Sequence, residues 1–162
     1  MSIQFSADAI FEIGIRIEKN GRAFYLEAAK SASDETVKSL FTELAEWENK
    51  HVELFKQLKS ELPENMKEDN LFDPDNEFRA YLEAAADSHV FVSSMNVDAL
   101  AAQCSSPSEA LEAALTFEKD SVVYYTAVKK VVSGLPGREK IDRLIDEELK
   151  HIAILNSKQQ QI

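Results

Sequence analysis

The stretch "EWENKHVELF", residues 46–55, sets the problem that decides the fold. Around it, Val37, Phe41, Leu44, Glu48, His51, Phe55 and Leu58 follow one another in steps of 4, 3, 4, 3, 4 and 3, the spacing of one helix face. A carboxylate and an imidazole therefore sit in the middle of an apolar stripe, where burial is costly unless something pairs with them. The chain poses the problem twice. In "DEELKHIAIL", residues 146–155, Glu148 and His151 stand in the same relation on the stripe Ile141, Leu144, Glu148, His151, Leu155.

The two stretches belong to an internal repeat with an offset of 100 residues. Glu18 matches Glu118, Lys19 Lys119, Tyr25 Tyr125 and Lys30 Lys130; Leu44, Glu48, Lys50 and His51 match Leu144, Glu148, Lys150 and His151. Each half thus reads Glu and, 30 residues later, Glu-x-x-His. One Glu-x-x-His is weak in a chain with 19 Glu. Two, each with a glutamate at the same upstream distance and each on an apolar stripe, are a pattern.

Working outward, residues 7–31 are expected to form a helix capped by Ser6, and a second helix follows Ser33 as its cap, with Asp34 and Glu35 in its first turn and Pro63 at its end. A third opens at "SSPSEALEAALTFEKD" with Ser106 as cap, Pro107 in the first turn and Glu109 closing a capping box. Gly134, Pro136 and Gly137 break it, and the last helix runs from about Arg138 to about Ser157. Short links make two antiparallel hairpins. The segment joining them has a polar stretch at 61–75, a shorter helix at 76–87 and a helical turn or two after Asn96. The expected fold is all-α, a four-helix bundle with one long crossover containing an extra short helix, forming a single domain over residues 1–162.

Composition agrees. Apolar residues make up 44% of 162, and with 4 Gly and 4 Pro the chain has little punctuation. A net charge of −11 repels nucleic acid and anionic membranes and can attract cations. No apolar run is long enough to span a membrane, and the N-terminus has no signal-peptide pattern. The single cysteine, Cys104, allows no internal disulfide and no C-x-x-C pair, in keeping with a cytoplasmic protein.

Residues three apart on a helix can reach one point. Glu48 with His51, Glu148 with His151, and Glu18 and Glu118 from the other two helices would bring four carboxylates and two imidazoles to the bundle centre. A lone glutamate or histidine on a helix is usually solvated or satisfied; six on apolar faces are not. Without cations the four carboxylates repel one another and are expected to have raised pKa values. Two divalent cations cancel their charge, and oxygen and imidazole donors suit iron or manganese, with zinc also able to bind. Gly21 and Ser121, one turn beyond Glu18 and Glu118, are small and expected to leave room for metal and oxidant. Tyr25 and Tyr125, seven residues beyond, could donate hydrogen bonds to carboxylates on a facing helix, or serve as core aromatics. Asp120, Glu147, Glu46 and Glu53 are expected to face outward, and Trp47 to serve packing. His89 reads as structural, and Cys104 has no assigned role.

At "IEKNGRAFYLEAAK", "LAEWENKHVELF", "FEKDSVVYYTAV" and "EELKHIAIL" the chain resembles the rubrerythrin family of the ferritin-like superfamily over about residues 6–157. The resemblance implies a non-haem centre of two iron ions that reacts with peroxide or dioxygen, often in a homodimer, with Glu18, Glu48, His51, Glu118, Glu148 and His151 as ligands. Two departures stand out. Rubrerythrins proper carry a rubredoxin-like module with paired C-x-x-C motifs; with one cysteine here, electrons are expected from an external donor such as rubredoxin. They also carry a further glutamate where this chain has Ser121, and Glu-x-x-Glu where it has Glu148-x-x-His151, which brings the site closer to the symmetric pattern of bacterioferritins. The functions implied are an oxidoreductase reducing peroxide or dioxygen, a ferroxidase or iron-storage subunit, or a non-catalytic metal-binding bundle. The structured crossover and the 11 residues after His151 weigh against a plain ferritin cage subunit.

Overall fold

The computed structural model describes residues 6–64, 97–131 and 137–162, together with positions 75, 77, 80 and 82–84. Among these lie five helices and no strand: α1 (Ala7–Ser31), α2 (Glu35–Ser60), α3 (Val97–Gln103), α4 (Pro107–Val131) and α5 (Arg138–Gln159). Positions 77, 80 and 82–84 are helical, while the rest of the helix expected at 76–87 lies outside the described residues, as do His89 and the Gly134–Pro136 break. The turn expected after Asn96 is α3. No described helix is long and apolar enough to cross a membrane.

The helix starts follow from side chains that satisfy otherwise unpaired backbone N–H groups. Ser6 Oγ accepts from Ala9 N at 3.2 Å to open α1. The cap of α2 is Asp34, not Ser33: its Oδ1 accepts from Thr36 N at 2.8 Å and Val37 N at 3.0 Å. A carboxylate does this better than a hydroxyl, because it also meets the positive end of the helix dipole. At α4, Ser106 Oγ accepts from Glu109 N at 3.2 Å, and Glu109 reaches back to Ser105 N at 2.7 Å, one residue earlier than a standard capping box. α5 starts at Gly137 with no side-chain cap. There φ is +116°, and a Cβ would stand 2.5 Å from Leu58 Cδ2, so both conformation and space demand glycine.

Helix α1 packs most extensively on α2 and α4 on α5, giving two hairpins; α1 also meets α3 and α4, and α2 meets α5. Aromatic rings fill the interior. Tyr25, Phe24, Phe41, Phe55, Phe117, Tyr124 and Tyr125 are all fully buried. Tyr124 Oη donates to the Ile10 carbonyl at 3.0 Å, which ties α4 to the start of α1.

Gly21 does not leave the opening expected of it. The Phe117 ring occupies the place of its side chain, and a Cβ there would clash with Phe117 Cζ. That ring is itself fixed edge-on against Tyr25, centroids 5.8 Å apart. The small residue is a socket for a neighbour's ring rather than space for a ligand.

Gly21→Ala should therefore overpack the core and cost about 1–3 kcal/mol in urea unfolding. Adding Phe117→Leu, which shortens the ring that fills the socket, should recover part of the loss. An unchanged unfolding midpoint in Gly21→Ala would show that the ring yields freely.

Candidate metal centre

Four helices deliver the six residues singled out by the repeat to one place. Glu18 comes from α1, Glu48 and His51 from α2, Glu118 from α4, and Glu148 and His151 from α5. All six are buried, the carboxylates at 0–1% exposure and the two histidines at 2% and 4%. Their donor atoms form two overlapping groups, Glu18–Glu48–His51–Glu148 and Glu48–Glu118–Glu148–His151, each with its atoms within 4.8 Å of one another. Glu48 and Glu148 belong to both. The other four belong to one each, so the cluster has two lobes sharing two carboxylates.

Both histidines turn Nδ1 inward. His51 Nδ1 lies 2.9 Å from Glu148 Oε1 and 3.4 Å from Glu18 Oε2; His151 Nδ1 lies 2.9 Å from Glu148 Oε2 and 3.5 Å from Glu118 Oε1. The imidazole rings stack at 5.8 Å between centroids, 27° apart. Two tyrosines cross between the hairpins. Tyr25 on α1 donates to Glu118 Oε1 at 2.5 Å, and Tyr125 on α4 donates to Glu18 Oε1. Burial, and then the nearby carboxylates, hold both phenols well above their ordinary pKa, so they stay neutral donors.

The hydroxyls occupy one oxygen of each carboxylate and leave the other bare. Among the described residues, buried side-chain atoms without a hydrogen-bond partner are Glu18 Oε2, both oxygens of Glu48, His51 Nδ1, Glu118 Oε2 and Glu148 Oε1. His51 Nδ1 and Glu148 Oε1 are close, but not aligned for a hydrogen bond. Buried unpaired polar atoms are expensive, and native proteins keep few. Here all six point to one cluster of hard oxygen and imidazole donors, which fits divalent metal ions.

Without cations, protons hold the cluster together. Burial, then the Glu18 charge, pushes Glu48 well above the carboxylate range; burial, then Glu148, does the same to Glu118. The expectation of raised values does not extend to Glu148. Burial pushes it up, but the two histidines outweigh burial and bring it well below the ordinary value. Burial alone would make both histidines harder to charge, yet their carboxylate neighbours win. His51 is raised well above its usual range and His151 to about 9.

Of the residues expected outside, Glu46 and Glu53 are exposed and Asp120 is half-buried. Glu147 is a correction: its Oε2 lies 3.0 Å from His51 Nε2, and that contact, first among the causes, lowers its pKa. Glu147 adjoins Glu148 on the helix but lies off the apolar stripe, and the stripe does not register a side chain that reaches around to the neighbouring helix. Trp47 is half-buried, with its ring 6.0 Å from that of His151 and Lys50 Nζ 3.8 Å above it.

The pH dependence of the metal-free protein follows. His151, raised in the fold, contributes stability that is complete below its unfolded pKa near 6.5 and lost as pH rises through about 9. Glu48 and Glu118, also raised, become harder to keep buried as pH climbs above their ordinary value of 4.5. Both effects have one sign. Chelated protein should therefore lose on the order of a few kcal/mol between pH 6 and pH 9.5, read as a fall in thermal midpoint, whereas metal-loaded protein should show a much flatter profile. A metal-free midpoint that rises over this range would contradict the proton account.

Comparison with known proteins places this geometry. The sequence profile of the family described as Rubrerythrin matches residues 9–102, which takes in Glu18, Glu48 and His51. No curated protein sequence matches the chain. A solved structure from Thermotoga maritima, described as a ferritin-like diiron-carboxylate protein, superposes with a TM-score of 0.72 at 20% identity, covering 97% of this chain and 96% of that one. The fold is ferritin-like, and with more than half of its length matched by the family profile, the chain belongs to the rubrerythrin family.

Proposed function

We propose that the cluster holds two metal ions, iron in the first place, and that the protein is a non-haem oxidoreductase reducing hydrogen peroxide or dioxygen with electrons from an external donor. The observation that carries this is the pair of lobes sharing Glu48 and Glu148, with bare buried donor atoms facing inward. Glu18 and His51 would serve one ion, Glu118 and His151 the other, and Glu48 and Glu148 both. Two ferrous ions, when bound, supply one electron each, which with two protons reduce hydrogen peroxide to two waters.

The chain's own residues prepare the site. Tyr125 and Tyr25 each occupy Oε1 of a carboxylate and so present Oε2 of Glu18 and Glu118. Burial excludes bulk water and strengthens every charge interaction inside. Metal uptake displaces the protons now shared among the glutamates and histidines. A ferroxidase is the second reading, supported by the near-symmetric donor set.

Anaerobic loading with ferrous iron should give two ions per chain. With a reduced electron donor present, peroxide should be consumed over many turnovers. Consumption that stops once the bound iron is oxidised, with ferric iron building up on further additions, would select the ferroxidase instead. Glu148→Ala, which removes a shared donor, should abolish stoichiometric binding of both ions, whereas Glu118→Ala should leave one bound. Equal effects of the two substitutions would sink the two-lobe assignment.

A further inference from the structure

Among the positions at which the two halves of the repeat differ, one pair lies four residues before each histidine, next to the cluster. Trp47 stands in the first half and Glu147 in the second. Each lies against the histidine of the other half. Glu147 Oε2 is 3.0 Å from His51 Nε2, whereas His151 has the Trp47 ring beside it, 6.0 Å between centroids.

We propose that Glu147 is a positioning residue that makes the two lobes unequal, so that the lobe of His51 binds metal first and more tightly than the lobe of His151. This rests on the two-metal reading above. Both histidines face the cluster through Nδ1, which leaves Nε2 as the outer nitrogen of each. For His51, Nε2–H donates to the Glu147 carboxylate. That bond sets the tautomer with its lone pair on Nδ1, fixes the ring's rotation and makes the imidazole a stronger donor. Among the described residues, every acidic contact of His151 runs through Nδ1, and its neighbour from the matching position is an indole without an acceptor lone pair or a charge. Among the described residues, a carboxylate orients His51 from behind before metal arrives, and none does so for His151. Glu147 is about one-third exposed, so its contact is reached from the protein surface, unlike those of the six cluster residues.

The test is anaerobic calorimetric titration of the metal-free full chain with cobalt(II), beside Glu147→Gln and Trp47→Glu. Cobalt absorption reports the donor set, and anomalous scattering from crystals holding one equivalent reports which lobe fills first. Wild type should bind in two steps, the first ion in the His51 lobe. Glu147→Gln keeps the shape and removes the charge; it should weaken the tighter step about 10- to 100-fold and leave the weaker one nearly unchanged. Trp47→Glu should strengthen the weaker step and bring the two together. Two cobalt ions bound with the same affinities before and after Glu147→Gln would overturn the inference, as would equal weakening of both steps, which marks a merely structural role. A folded wild-type chain that takes up no cobalt would instead sink the two-metal reading itself. Because Glu147→Gln is nearly isosteric, the decision does not depend on whether Trp47→Glu folds.

Discussion

Four carboxylates closed off from water at the middle of one bundle set the terms for everything around them. Glu18, Glu48, Glu118 and Glu148 are no more than 1% exposed. So many like charges cannot share a dry space unless positive charge joins them. The protein supplies two imidazoles as its own partial answer, and burial favours protons on Glu48 and Glu118. The same charge well has donor atoms that could hold cations in place of protons, and the helices around it need only be rigid enough to keep the well from opening to water.

The rigidity comes from aromatic packing rather than from salt bridges. The ion pairs remote from the cluster, such as Lys30–Glu27 and Lys56–Glu53, join exposed side chains, where each contributes little. The rings of Tyr25, Phe117, Phe55 and Tyr125 are buried and lock one another edge to face or tilted. Gly21 belongs to this lattice of rings. Where one half of the repeat has glycine opposite Phe117, the other has Ser121 at the matching place and Ile17 in the position of the phenylalanine. The halves differ in shape here while sharing the glutamates and histidines of the cluster.

Much of this was legible in the residues alone. The alternating steps of three and four along Val37–Leu58 and Ile141–Leu155 locate the helices, and the doubled Glu and Glu-x-x-His name the residues that the fold brings together. Periodicity reports which face a residue is on, and this is why it succeeds there. It is blind to what a side chain does at the edge of that face. Glu147 lies off the stripe, yet a glutamate is long enough to reach His51. Which carboxylates belong to both lobes was equally out of reach, since it depends on how the hairpins dock. Asp34 and Ser33 are both good caps in sequence, and only the path of the chain chooses between them. Gly21 shows the opposite limit: a small residue is not empty space where a neighbour's ring fills it.

The two crossed tyrosines have a consequence for alignment. Tyr25 reaches from α1 to Glu118 while Tyr125 reaches from α4 to Glu18, so the partners run in opposite directions along the two helices. A slide of α1 past α4 would pull both hydroxyls off their carboxylates at once. The pair works as a vernier with one setting. Side-chain packing alone would tolerate small slips between two smooth helices, but these buried bonds do not, and they fix the one axial offset at which both glutamates face the same centre.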